Sequence, residues 1–141
     1  MKKYKLPILF ILFPLILGTI VGLITVPNSN IDSLIPSWIF PVVWTILYIL
    51  MGISSYIIFK ETDEIPKIYL IQLGVNLSWS FIFFTFKLFS VAYIWILLLI
   101  LLVIIMIKEF IERNKLAGFL QIPYLIWICI ASFLNYIIMM K

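Results

Sequence analysis

The chain has 141 residues, of which 65% are hydrophobic and 11% are charged. A soluble domain is about half apolar and about a quarter charged, so this composition excludes an ordinary soluble domain and indicates an integral membrane protein. The net charge is +4 and no histidine is present, which removes the commonest metal ligand and proton shuttle. The single cysteine, Cys129, has no partner for a disulfide within the chain. We therefore expect no metal, no cofactor and no nucleic-acid partner.

Five apolar runs are long enough to cross a bilayer, whose hydrocarbon core is about 30 Å thick and requires roughly 20 helical residues. The predicted helices span residues 6–26, 38–59, 67–86, 91–107 and 116–140. Short links favour sequential, antiparallel neighbours in one bundle. The sequence thus predicts a single all-α membrane domain over residues 1–141, built as a bundle of five transmembrane helices.

The first predicted helix contains Pro14 and the glycine pair Gly18 and Gly22. Glycines four residues apart allow two helix backbones to approach closely. Within one chain the pair seats a neighbouring helix, whereas between chains it supports a dimer, and the sequence leaves both interpretations open. The same run has the basic start of a signal peptide. It is longer than a signal core and lacks a small-residue cleavage site, so we interpret it as a spanning helix.

Three predicted helices carry aromatic and polar residues along one face, at spacings of three or four residues. On the second helix this face holds Trp44, Tyr48, Met51 and Ser55. On the third it holds Tyr69, Gln72, Asn76, Trp79 and Phe83, and on the fifth Tyr124, Trp127, Ala131 and Leu134, with Asn135 beside them. The fourth helix, IWILLLILLVIIMI, lacks such a face and is predicted to be a lipid-facing wall. A cavity bounded by the second, third and fifth helices would explain the three faces together.

The tryptophans also have an interpretation that requires no ligand, because indole rings collect at the headgroup level of membranes. Trp38 and Trp95 lie near helix ends and fit that interpretation. Trp44 and Trp127 lie deeper in their helices, and for them an interfacial role and a role in a pocket are equally open.

The polar residues and prolines inside the spans allow structural interpretations too. Gln72 and Asn76 either join helices through hydrogen bonds or contact a ligand, while Asn135 is interpreted as a link between helices. Cys129 is interpreted as a small buried apolar residue. Proline removes a backbone donor, so kinks are expected at Pro41 and Pro123, which lie inside apolar runs.

No Asp, Glu, Lys or Arg lies in the middle of a predicted span. Such residues mark proton and ion pathways in membranes, and paired carboxylates carry most general acid–base catalysis. Their absence argues against a proton-coupled transporter, a charge-filtered channel and an acid–base enzyme.

Lysine and arginine are distributed unequally between the two sides of the predicted bundle. Eight lie at the N-terminus and in the second and fourth links: Lys2, Lys3, Lys5, Lys60, Lys67, Lys108, Arg113 and Lys115. Lys87 and Lys141 lie on the other side. Because positive residues remain in the cytoplasm, we expect a cytoplasmic N-terminus and an external C-terminus in the cell membrane.

The stretches WIFPVVWTILYILMGIS, QLGVNLSWSFIFF and AGFLQIPYLIWICIASFLNY lie on the second, third and fifth helices. Together they resemble the tryptophan-rich sensory protein family, TspO/MBR, which includes the mitochondrial translocator protein. The resemblance covers nearly the whole chain, in order and at the family's spacing. The family's Pro–Ser–Trp–x–Pro–Pro stretch before the second helix is matched only in part, by DSLIPSW.

The resemblance implies a multi-pass membrane protein, often a homodimer, with a ligand cavity in each protomer. Family ligands include porphyrins such as protoporphyrin IX, cholesterol in eukaryotes and benzodiazepine-like drugs. By motif match, the implied ligand-binding residues are Trp44, Tyr48, Asn76, Tyr124, Trp127, Ala131 and Leu134. Gln72 and Trp79 join them because they share the face of Asn76. We therefore expect a receptor or sensor that binds tetrapyrroles or other hydrophobic ligands.

Two other functions remain open at this point. Some family members are reported to promote light-dependent porphyrin breakdown, and for such an activity Trp44 and Trp127 are the expected participants. Transport of a porphyrin or sterol across the bilayer is the other alternative. The sequence shows neither an inverted repeat nor a charged pathway to support transport.

Overall fold

The computed structural model describes residues 2–25 and 39–140, with side chains except those of residues 2–5 and Phe40. The predictions about the loop after the first helix, including Pro36 and Trp38, lie outside these residues. The described elements are α1 (Lys2–Thr25), α2 (Ile39–Thr62), α3 (Lys67–Ser80), a π-helical turn (Phe81–Thr85), α4 (Phe89–Arg113), α5 (Lys115–Leu120) and α6 (Ile122–Met140).

Five segments within the described ranges are long and apolar enough to cross a membrane. They are Leu6–Thr25, Pro41–Thr62, Lys67–Thr85, Phe89–Arg113 and Lys115–Met140. The chain is therefore an all-α protein with five membrane-spanning helices, as predicted. The fourth extends to Arg113 rather than ending near Ile107, because charged residues end the apolar segment without ending the helix. At 1.5 Å per residue, its 25 residues extend over about 37 Å, which exceeds the hydrocarbon core.

The two prolines predicted to kink their helices behave differently. The fifth span divides at Gln121, which separates α5 from α6 and lies two residues before Pro123. Its amide donates to the carbonyl of Gly118 at 3.1 Å, a tighter turn than that of an α-helix. Pro41, by contrast, lies in the first turn of α2 as described, where a missing amide hydrogen costs nothing, and α2 continues unbroken to Thr62.

The five spans surround a common interior in the order first, second, fifth, fourth, third. The first span, α1, packs most extensively on α2 and also touches α3, whereas α4 packs against α3, α5 and α6. Among the described helices, the second and third spans, which were expected to be neighbours, do not pack extensively against each other. Side chains reach across the interior between them instead, as described below.

The α1–α2 contact depends on a close approach of backbones at Gly52. A β-carbon at this position would overlap the backbone of Phe10 and Ile11 on α1. Gly52 therefore allows α2 to lie directly against α1, which is the packing that small residues permit between membrane helices.

The prediction that the fourth helix is a lipid-facing wall is wrong. One side of α4 is fully buried against three other elements and forms much of the core. This side consists of Ala92, Ile96, Leu99, Val103, Met106, Ile107 and Phe110. These buried residues recur at helical spacing, but the lipid-facing side of α4 is equally apolar. The sequence therefore shows no contrast between the buried side and the lipid-facing side.

Candidate ligand site

Four aromatic rings from α2 and α6 form a cluster inside the bundle. Trp44 stacks on Tyr48 with ring centroids 5.6 Å apart. The Trp44 ring also meets Tyr124 and Trp127 edge-on, each at 6.4 Å. Trp44 is half-buried, whereas the other three rings are buried. The aromatic faces predicted on the second and fifth helices therefore converge on the interior and do not point outward to lipid.

A continuous hydrogen-bond network lies beneath this aromatic cluster and joins α2, α3 and α6. The Tyr48 hydroxyl donates to Oδ1 of Asn76 at 2.7 Å, and Nδ2 of Asn76 donates to the Tyr124 hydroxyl at 2.9 Å. The Tyr124 hydroxyl in turn donates to Oε1 of Gln72 at 2.7 Å. Nε2 of Gln72 completes the network by donating to the backbone carbonyl of Tyr69 at 3.0 Å.

The network engages the side-chain oxygen and nitrogen of both Asn76 and Gln72, and both side chains are almost completely buried. The sequence left open whether these amides join helices or contact a ligand. In this structure they join helices, because every side-chain oxygen and nitrogen of the pair already has a protein partner. Both side chains are buried behind the aromatic rings, so the rings and not the amides face an incoming ligand.

Trp79 belongs to a second aromatic cluster near the other end of α3. Its ring stacks on Phe83 in the π-helical turn at 4.8 Å, and Phe83 meets Phe89 edge-on at 5.2 Å. The indole nitrogen of Trp79 donates to Oδ1 of Asn135 at 3.1 Å. Nδ2 of Asn135 donates to the carbonyl of Phe89 at 3.0 Å, which confirms Asn135 as a link between helices.

The remaining predicted site residues lie on the inner faces of their helices. Ala131 and Leu134 are buried on α6, in the turns that follow Trp127. Met51 and Ser55 are buried on α2 in the turns that follow Tyr48. The structure thus brings Trp44, Tyr48, Tyr124 and Trp127 into direct ring contact, with Gln72 and Asn76 hydrogen-bonded behind them.

Ser54 and Gln121, which sequence reasoning missed, form a second polar layer with the predicted face residues Ser55 and Tyr69. Ser54 donates to the carbonyl of Ala117 at 2.7 Å and ties α2 to α5. Gln121 is completely buried, and neither polar atom of its side chain has a hydrogen-bond partner. The hydroxyl of Tyr69 also makes no hydrogen bond of acceptable geometry, although Ser55 lies beside it. A glutamine inside the apolar run of the fifth span was the available signal for this layer.

The interpretation of Cys129 as a buried residue is wrong. The thiol is exposed on α6, because Trp127, Ile128 and Ala131 occupy the side that faces the interior. A weakly polar side chain such as cysteine is tolerated against lipid as well as in a core.

Trp95, which was assigned to the membrane interface, makes a defined contact between helices. Its indole nitrogen donates to the carbonyl of Val75 on α3 at 3.1 Å. The ring is partly buried, so α4 uses Trp95 to hold α3.

The fold and site define an integral, multi-pass helical membrane protein with an aromatic interior cluster held by a buried amide–phenol network. The sequence matches the TspO/MBR family over residues 10–140. The chain belongs to the TspO/MBR family.

Named relatives span bacteria, archaea and animals. The chain is 34% identical over 110 residues to the tryptophan-rich protein TspO of Chlorobaculum tepidum, covering 74% of this chain and 70% of the relative. It is 36% identical over 107 residues to the tryptophan-rich protein TspO of Archaeoglobus fulgidus, covering 73% and 69%. It is 31% identical over 108 residues to the translocator protein of Homo sapiens, covering 72% of this chain and 64% of the relative.

Proposed function

We propose that the protein is a membrane receptor or sensor that binds a tetrapyrrole, or another flat hydrophobic molecule, at the cluster of Trp44, Tyr48, Tyr124 and Trp127. The single observation that carries this proposal is the convergence of these rings on the bundle interior, with Trp44 only partly buried. A helix that served only as an anchor would gain nothing from indole and phenol rings over leucine. The family relationship supports the same interpretation.

The physical basis of recognition is stacking rather than hydrogen bonding. Offset or edge-on contacts between aromatic rings contribute about 0.5–1.5 kcal/mol each beyond the buried area. Asn76 and Gln72 are engaged in the network, so they support the rings from behind. The described part of the spans offers no buried cation to pair with a carboxylate. A propionate group would therefore reach toward the open end of the cluster or bind in its protonated form.

The proposal is tested by titrating the purified protein with protoporphyrin IX and following tryptophan fluorescence. Binding beside Trp44 and Trp127 is expected to quench their emission. The double variant Trp44→Phe with Trp127→Phe should bind roughly tenfold more weakly, because two large stacking surfaces are reduced. Trp95→Phe is the matched control, since this tryptophan lies on α4 outside the cluster. Unchanged affinity in the double variant would rule out this site.

Light-dependent porphyrin breakdown is a second candidate function, supported by one feature of the site. The indole rings of Trp44 and Trp127 contact each other at 6.4 Å, so two oxidisable rings lie together where the ligand is proposed to bind. Illumination of the porphyrin-loaded protein in air should then produce a bilin-like absorbance. The double phenylalanine variant should lose that product, whereas bleaching equal to that in protein-free micelles would exclude the activity.

We also propose that the N-terminus faces the cytoplasm of the cell and the C-terminus lies outside, since eight of the ten basic residues are on one side. A C-terminal alkaline phosphatase fusion should then be active, and a C-terminal green fluorescent protein fusion should be dark. The opposite pattern would reverse the proposed orientation.

Homodimerisation is proposed on the exposure of the first span. Only 11% of its most apolar 18-residue stretch is buried within the chain, which is the lowest share among the described spans. Cysteines introduced along the exposed side of α1 should crosslink between protomers in the membrane. Failure of every such position to crosslink would leave a monomer as the functional unit.

A further inference from the structure

A cavity of about 890 Å³ lies at the end of the bundle opposite the aromatic site, where the second span ends, the third begins and the fourth ends. Its volume falls in the range of about 300–1,000 Å³ that small-molecule sites occupy in proteins. Neither the family relationship nor the proposed function assigns a role to this cavity. Its lining differs sharply from that of the aromatic site, since it contains charges of both signs.

Five charged side chains line the cavity: Glu64, Lys67, Glu109, Glu112 and Arg113. Within the described residues, the side chains of these five residues form no ion pair and no hydrogen bond with another residue. Acids and bases that line one cavity without neutralising each other leave both charges available to a ligand. Three acids against two bases also favour a ligand that carries a cation in addition to an anion.

The lining has a charged part and an apolar part, which is the same division that a lipid molecule has. Glu64 and Lys67 belong to the link and the start of α3, where the bundle leaves the bilayer. Ile65, which is exposed, and Ile68, which is partly buried in the first turn of the third span, form the apolar part of the lining that a ligand can reach. A molecule with a charged head and a hydrocarbon body matches this arrangement, because its head would meet the charges and its body the apolar wall.

We propose that this cavity binds a membrane phospholipid with a phosphoethanolamine headgroup. Lys67 and Arg113 would pair with the phosphate, and Glu109 and Glu112 would accept hydrogen bonds from the primary ammonium group. The arrangement of acids discriminates between headgroups. A choline headgroup has no N–H to donate, and a glycerol headgroup has no cation, so both are expected to bind more weakly than phosphoethanolamine.

The experiment uses the full chain in nanodiscs that contain equal amounts of phosphatidylethanolamine, phosphatidylcholine and phosphatidylglycerol with identical acyl chains. Native mass spectrometry of the released protein then counts the lipids that stay bound. We expect the wild type to retain phosphatidylethanolamine about tenfold more than either of the others, the effect of one charge-assisted hydrogen bond. Soluble O-phosphoethanolamine, added as a competitor, should displace the lipid only weakly.

Separate replacement of the acidic and of the basic side chains shows what each type contributes to lipid binding in the cavity. The double variant Glu109→Gln with Glu112→Gln should lose the preference for phosphatidylethanolamine while it still binds phosphatidylglycerol. Lys67→Gln should weaken the binding of both lipids, because both carry the phosphate. Asp63→Asn and Lys108→Gln are matched controls, since these exposed residues lie nearby but outside the lining.

Three results would overturn the proposal. The first is equal retention of the three lipids by the wild type. The second is a loss of lipid in Asp63→Asn as large as the loss in the variants of the lining. The third is displacement of the lipid by O-phosphoethanolamine at concentrations similar to that of the lipid. The last result would identify a free metabolite in place of a lipid as the occupant. If the double variant does not fold, as judged by its elution and circular dichroism, the single variant Glu112→Gln gives the same comparison. None of these outcomes depends on porphyrin binding, so they leave the proposed function to its own test.

Discussion

The ring of Tyr48 packs directly over Gly18, so closely that a β-carbon at position 18 would overlap it. Gly22, one turn further along α1, has nothing within 4 Å of the place where its β-carbon would lie. The two glycines of the pair therefore differ in role, and Gly18 seats the neighbouring helix within the chain. Because the Tyr48 hydroxyl donates to Asn76, α1 supports the network of the candidate site without contributing a polar group to it.

Gly18→Ala should lower the thermal stability of the protein, because overpacking at a closed contact costs about 1–3 kcal/mol. It should also weaken porphyrin binding, since Tyr48 must move. Gly22→Ala is the matched control and should melt at the same temperature or higher, as alanine favours a helix over glycine by about 1 kcal/mol. Thermal unfolding in detergent measures both variants. A Gly18→Ala protein as stable as Gly22→Ala would contradict the contact.

Asn76→Ala is expected to destabilise the fold by about 1–2 kcal/mol, because two interhelical hydrogen bonds are lost and each contributes about 0.6 kcal/mol in membranes. The remainder comes from the Tyr48 and Tyr124 hydroxyls, which lose a buried partner. Ser78→Ala on the same helix serves as the control, since its hydroxyl bonds only to Gly74 within α3. Unfolding in sodium dodecyl sulfate gives the difference, and equal stability of the two variants would contradict the network's role.

Two glutamines in the interior should respond in opposite directions to replacement by leucine. Gln121 has unpartnered polar atoms, so Gln121→Leu should stabilise the protein by about 1–2 kcal/mol through removal of a desolvation cost. Gln72 bonds to Tyr124 and to the Tyr69 carbonyl, so Gln72→Leu should destabilise it. The same unfolding assay compares them. Destabilisation by Gln121→Leu would contradict the expectation that the buried amide carries an uncompensated desolvation cost.

Trp79→Phe separates the two aromatic clusters. Its indole bonds to Asn135 and its ring stacks on Phe83, so the variant should lose stability yet bind protoporphyrin IX with nearly wild-type affinity. Trp127→Phe should show the opposite pattern, with weaker binding of protoporphyrin IX and little loss of stability. A large loss of affinity in Trp79→Phe would mean that the ligand extends from the first cluster to the second.

Cys129 provides a native site for a nitroxide spin label, because it is the only cysteine in the chain. Since the thiol is exposed on α6 within the fifth span, the label should collide frequently with oxygen and rarely with a water-soluble nickel complex. Ala131→Cys in a Cys129→Ser background is the buried comparison and should be protected from both reagents. Nickel accessibility at position 129 would place this side of α6 against water.

The sequence predicted the helices well because each span differs sharply in hydropathy from its flanking links. It also predicted the inner faces of α2 and α6, since Trp44, Tyr48 and Tyr124 stand out against aliphatic neighbours at helical spacing. Such contrast was missing in α4, whose core residues, from Ala92 to Phe110, are no more apolar than the residues that face lipid. In a membrane the hydrophobic pattern does not distinguish the interior from the bilayer, so the burial of α4 required the structure.

The hydrogen-bond partners of the polar residues also could not be predicted from the sequence. Helical spacing placed Gln72, Asn76 and Trp79 on one face, but it could not show that Trp79 bonds to Asn135 while Asn76 bonds to Tyr124. Those choices depend on the order of the spans around the interior. Short links suggested that helices adjacent in sequence pack together, whereas α2 and α3 do not pack extensively and are bridged by the side chains of Tyr48 and Asn76.

Oδ1 and Nδ2 of Asn76 each bond to a tyrosine hydroxyl, those of Tyr48 and Tyr124, and the side chain is buried. Under the proposed function, a surface whose amides are buried and bonded to other helices presents ring faces to an incoming molecule, so the outline and planarity of that molecule would decide how well it fits. Such a surface would accept many unrelated flat compounds and rank them by the area they present. Under the proposed function, broad tolerance of chemically dissimilar guests would follow from the way the helices are tied together.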